Sequence, residues 1–91
     1  MSIKILVIED EPDIRKTIEY NLTREGFNVT SVGSLAHART NLESTIFSLI
    51  VLDLMLPDGS GLDLCREVKS DTRLSNIPIA VSYTHLRAHE T

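Results

Sequence analysis

Two stretches, residues 3–10 (IKILVIED) and 47–54 (FSLIVLDL), are aliphatic at almost every position rather than at every second one. A strand with one wet face alternates apolar and polar residues, so an unbroken run demands burial on both faces. A parallel sheet sandwiched between helices meets that demand, and its parallel neighbours must be joined by crossovers. The intervening sequence supplies them. After the first run, Pro12 and Asp13 suit a helix's first turn, and Ile14, Ile18 and Leu22 recur at i, i+4 and i+8. Gly26 is placed to stop that helix. Residues 28–32 (NVTSV) read as a short, less buried strand, and Ser34 as the N-cap of a helix with Leu35, Ala38 and Leu42 on its inner face. Residues 57–61 (PDGSG) read as a turn, followed by a helix burying Leu62, Cys65 and Val68. Residues 77–80 (IPIA) begin a fourth strand. The order β-α-β-α-β-α-β predicts an α/β, doubly wound parallel sheet.

Composition narrows the class. Ninety-one residues, 42% hydrophobic and 24% charged, make one small globular domain. No apolar run approaches the roughly 18 residues of a membrane span, so no membrane association is expected. The opening MSIKILVIED lacks a leader pattern, and the single Cys65 excludes an internal disulfide; both point to the cytoplasm. A formal charge of −4 argues against nucleic-acid binding by this segment itself. No G-x-G-x-x-G follows the first strand, which disfavours a dinucleotide site.

Both aliphatic strands run into acids: Glu9 and Asp10 at the end of the first, Asp53 at the end of the third. Ligands of open α/β sheets bind outside the carboxyl ends of the strands. If the two strands are neighbours, three carboxylates crowd one edge and repel one another. A hard divalent cation such as Mg²⁺ relieves this, since it takes oxygen ligands with waters and a phosphate. Asp53 would then be a metal ligand, a nucleophile toward a phosphoryl donor, or both. Alone, the acids before the first helix would merely complement its dipole, and Asp53 would merely cap a turn. Their joint placement favours the chemical reading.

The segments ILVIEDEPDIR and LIVLDLMLPDGSGLDLCREVK resemble the receiver domain of bacterial two-component response regulators, most closely the winged-helix regulators of the phosphate-regulon type. The specific marks are the acidic pair after the first strand and the pattern Asp53, Met55, Pro57, Gly61. The resemblance implies a flavodoxin-like sheet of strand order 2-1-3-4-5. It implies that Asp53 accepts a phosphoryl group from a sensor histidine kinase, a phosphoacceptor role rather than that of a turnover enzyme. Asp10, Asp53 and the Met55 backbone carbonyl would hold Mg²⁺, with Glu9 acting through water; Pro57 and Gly61 would shape the loop presenting Asp53. In the parent protein, a C-terminal domain not represented here would bind DNA, and the full-length protein would dimerise.

Two family positions are unmatched. The hydroxyl residue expected at the end of the fourth strand falls on Tyr83, and no residue matches the Lys that ends the fifth. The last dozen residues (AVSYTHLRAHET) show neither strand nor helix periodicity and resemble the translation of a sequencing-library adapter. Residues 1–79 are therefore expected to be a partial receiver domain, truncated after the fourth strand, and 80–91 a non-native tail. His85 and His89, four apart, read as unrelated imidazoles. The competing reading is a Mg²⁺-dependent phosphatase with an aspartyl nucleophile. It places D-x-D after the first strand, where this chain has Asp10 and then Pro12.

Overall fold

The computed structural model describes residues 3–53, 55, 56 and 59–82. Elements follow in the order β1 (Lys4–Ile8), α1 (Pro12–Arg24), β2 (Asn28–Val32), α2 (Leu35–Ser44), β3 (Leu49–Asp53), β4 (Met55–Leu56), β5 (Gly59–Ser60), α3 (Gly61–Ser70) and β6 (Ile79–Ser82). Four strands form one parallel sheet in the order β2-β1-β3-β6, the 2-1-3-4 order of the expected fold. The short β4 and β5 pair antiparallel as a separate ribbon where a plain turn was expected. Strands of two residues carry too few side chains to show a period.

Strand alternation divides the sheet into two unequal faces. Leu6 and Ile8 of β1 and Ile50 and Leu52 of β3 face one way, into a core completed by Leu35, Ala38 and Leu42 of α2 and Leu64 and Val68 of α3. Phe47, Leu74 and Ile77 close that core from the connecting loops. Ile5 and Val7 point to the opposite face and are also buried, so β1 is enclosed on both sides as its sequence demands. On β3 the expectation of full burial holds for one face only. Leu49 and Val51 are half-buried, because α1 packs chiefly over β2 and β1. Ile14, Ile18 and Leu22 of α1 are likewise half-buried, and β6 forms the far edge with Val81 exposed.

The caps are local chemistry. Ser34 accepts a hydrogen bond from the His37 amide and starts α2 as its sequence predicts. At the end of α1, Gly26 adopts φ 96°, the Gly26 amide donates to the Thr23 carbonyl and the Phe27 amide to the Leu22 carbonyl. That paired pattern is the Schellman motif, which uses glycine because a Cβ strains the left-handed backbone. On α3 the inner stripe differs from expectation: Gly61, Leu64 and Val68 are buried, Cys65 is half-buried, and Leu62 is exposed. Both stripes satisfy a 3.6-residue period, and packing against β3 selects the one containing Leu64. Among the described residues no helix is long and apolar enough to cross a membrane. The strand β6 passes the expected boundary at residue 79; residues 83–91, including Tyr83, His85 and His89, lie outside the described residues.

Candidate functional site

The parallel register of β1 and β3 pairs Ile5 with Leu49 and ends with Ile8 beside Leu52. One step further, Glu9 and Asp53 meet at the carboxyl edge of the sheet. The Glu9 amide extends the ladder to β2 by donating to the Val32 carbonyl at 3.0 Å, so Glu9 is held from the other flank as well. Asp10 follows on the turn into α1. Glu9 and Asp53 are each only 1% exposed, and Asp10 is half-buried.

One carboxylate oxygen from each of Glu9, Asp10 and Asp53 lies within 4.8 Å of the other two. The three acids singled out in the sequence are therefore one cluster. Burying carboxylates this close is unfavourable unless positive charge or donors compensate. Part of the compensation is local: the Glu11 amide donates to Glu9 Oε2 at 3.2 Å, at the N-terminus of α1, where the helix dipole also favours anions. Glu11 itself caps α1, its Oε1 accepting from the Asp13 amide at 2.9 Å.

The donor set suits a small hard cation. All three groups offer anionic oxygen, which is what Mg²⁺ selects over softer metals. Glu9, Asp10 and Asp53 would hold such an ion through these oxygens, which lie within 4.8 Å of one another. Met55 opens β4 two residues beyond Asp53, with its backbone paired to Ser60. Pro57 lies outside the described residues, and Gly61 is the buried first residue of α3, where the loop ends. On the other side of β3, the ladder to β6 pairs Asp53 with Ser82.

Sequence reasoning missed Arg15 and Gly33. Arg15, on the first turns of α1, donates from Nη1 to the Glu9 carbonyl at 2.8 Å and reaches the Asp10 carbonyl at 3.4 Å. Gly33, between β2 and α2, sits against that guanidinium. Other polar features lie away from the acids. Arg39 of α2 grips Glu67 of α3 through two hydrogen bonds, at 2.9 and 2.6 Å, beside a cavity of about 180 Å³ that shares no residue with the cluster. Cys65 packs against the core, and burial pushes its thiol up, opposed in part by the nearby Lys69 charge.

A family model described as the response regulator receiver domain matches residues 5–89. The transcriptional regulatory protein GltR of Pseudomonas aeruginosa is 44% identical over 75 residues, covering 82% of this chain and 31% of that protein. The phosphate regulon transcriptional regulatory protein PhoB of Rhizobium meliloti is 37% identical over 76 residues, 84% of this chain and 34% of that protein. The chain thus spans about a third of the length of these two relatives. Among solved structures, the receiver domain of the sensor histidine kinase PA1611 from Pseudomonas aeruginosa PAO1 superposes with a TM-score of 0.83 at 28% identity. It covers 89% of this chain and 66% of that one, and its description places a magnesium ion in the active-site cleft.

Proposed function

The chain belongs to the response regulator receiver family, and on that premise we propose that Asp53 is its phosphoacceptor, with Glu9 and Asp10 completing a Mg²⁺ site. The observation carrying this reading is the buried cluster itself: three carboxylate oxygens within 4.8 Å, brought together by the adjacency of β1 and β3. Asp10 and Asp53 would hold the ion directly, together with the Met55 carbonyl, with Glu9 acting through a water. When bound, Mg²⁺ offsets charge on the transferring phosphoryl oxygens.

The remaining chemistry belongs to the chain. Asp53 ends a rigid strand, so its carboxylate is presented at a fixed position for in-line attack. An Asp53 carboxylate oxygen forms a bond to phosphorus as the phosphorus–nitrogen bond of a phosphohistidine breaks. The departing imidazole takes a proton from solvent, and an aspartyl phosphate remains. Its donor is a sensor histidine kinase. In the parent protein the modified domain controls an output domain, read as DNA-binding from the regulators it resembles, and the full-length protein dimerises. The free Cys65 suits a reducing cytoplasm. Residues 80–91 are read as a non-native tail; genomic sequence across the codons after Ile79 tests that boundary.

The phosphoacceptor reading is tested with acetyl phosphate and Mg²⁺. One phosphoryl group per chain, cleaved by base and by hydroxylamine and absent in Asp53→Asn, is the expected result. Labelling that persists in Asp53→Asn, or release of many phosphate equivalents per chain, overturns it in favour of another site or the phosphatase.

A further inference from the structure

The peptide units that carry Glu9 and Asp10 are gripped from behind. Arg15 turns its guanidinium back toward β1, and Nη1 donates to the Glu9 carbonyl at 2.8 Å while lying 3.4 Å from the Asp10 carbonyl. A bond from a cationic donor is shorter and stronger than a neutral one. The space for this grip is made by Gly33. A Cβ built there would stand 2.9 Å from Arg15 Nη1 and 3.6 Å from its Cζ. Backbone conformation does not demand glycine at this position, since Gly26 is the positive-φ residue among those described. A Cβ there would instead push the tip of the Arg15 side chain off its seat.

We infer that Arg15, seated against Gly33, is a positioning residue for the metal-binding acids, acting through their backbone carbonyls. The inference rests on the reading that Glu9, Asp10 and Asp53 hold Mg²⁺. Fixing the peptide planes of residues 9 and 10 fixes the directions of their Cα–Cβ bonds, and with them where the two carboxylates arrive relative to Asp53. Mg²⁺ demands near-ideal octahedral geometry, so it is sensitive to errors in that aim. The positive charge of Arg15 acts in the opposite sense, because a cation beside the site disfavours a second cation. Position and charge therefore predict opposite signs when Arg15 is removed.

The test is calorimetric Mg²⁺ titration of the 91-residue chain, of Arg15→Ala, of Gly33→Ala and of the double variant, with far-UV circular dichroism confirming the fold of each. Loss of residues that orient metal ligands typically weakens binding by 10- to 100-fold, and each single variant is expected to lose about tenfold in Mg²⁺ affinity. In the Arg15→Ala background, Gly33→Ala is expected to add no more than about twofold, because the new methyl then meets no guanidinium. Unchanged or tighter binding in Arg15→Ala overturns the inference, as do fully additive losses. Gly33→Ala retains every charged group, so it carries the test alone if Arg15→Ala does not fold; wild-type affinity in folded Gly33→Ala overturns the positioning role. Absence of Mg²⁺ binding by the wild-type chain overturns the metal reading and the inference together.

Discussion

Neutralising Asp53 should make the metal-free protein more stable, although it alters a residue at the edge of the core. In Asp53→Asn the side chain keeps its shape and one carbonyl acceptor but loses its charge. Two unit charges 4.8 Å apart, the outer limit of this cluster, repel by about 3.5 kcal/mol at an effective dielectric of about 20. Asp53 faces two such neighbours, Glu9 and Asp10. Hydrogen bonds to the acids and the dipole of α1 offset much of that repulsion, leaving an expected gain of about 1–3 kcal/mol. For a domain of this size each kcal/mol moves the thermal midpoint by roughly 4–8 °C. The assay is thermal unfolding followed by far-UV circular dichroism in EDTA at near-neutral pH. Repeating it in saturating Mg²⁺ should narrow the difference or reverse it. Ligand at 100 times its Kd stabilises a folded protein by about 2.7 kcal/mol, a gain available to the wild-type chain and largely lost in the variant. High salt should leave the EDTA difference mostly intact, because buried charges are poorly screened. If Asp53→Asn melts at or below the wild-type temperature in EDTA, the three carboxylates do not strain the fold, and the cation site proposed for them is refuted.

Three further outcomes follow from the fold. Gly26→Ala should lose about 1 kcal/mol in urea unfolding: φ 96° strains any Cβ, yet nothing lies within 4 Å of one, so the penalty is purely conformational. Leu52→Ala should lose about 2–5 kcal/mol by leaving a cavity in the sealed face, whereas Leu62→Ala, at a site 50% exposed, should stay within about 0.5 kcal/mol; equal losses would contradict the assigned α3 stripe. The Arg39 guanidinium, through its hydrogen bonds, holds the Glu67 carboxyl below its usual range, opposed in part by burial. A depressed folded pKa stabilises at pH values above the unfolded one, and that contribution disappears as pH falls through the folded value. Both side chains are well exposed, so the contribution is at most about 1 kcal/mol. An NMR titration of Glu67 should move back to the ordinary carboxylate range in Arg39→Ala.

What the sequence displays and what it conceals divide along a physical line. Residues 5–8 were legible because burial on both faces leaves no polar position, and Glu9, Asp10 and Asp53 were legible because acids at the ends of such strands are anomalous. Their convergence needed one further fact, the adjacency of β1 and β3, which comes from family resemblance and the rules of parallel crossover rather than from any residue. The inner stripe of α3 is ambiguous in the sequence because Leu62 and Leu64 both fit a helical period, and only the position of β3 decides between them. Arg15 was invisible for a different reason. It binds carbonyls, which every residue possesses, so its partners leave no mark in the sequence, and a lone arginine on a helix reads as solvated surface. Gly33 left a mark of the wrong kind: between a strand and a helix, glycine reads as a turn residue, yet its missing Cβ makes space for another side chain. Groups that carry charge into a core are therefore exposed by composition and spacing. Groups that aim them, working through backbone atoms and absent methyls, emerge only from three-dimensional contact.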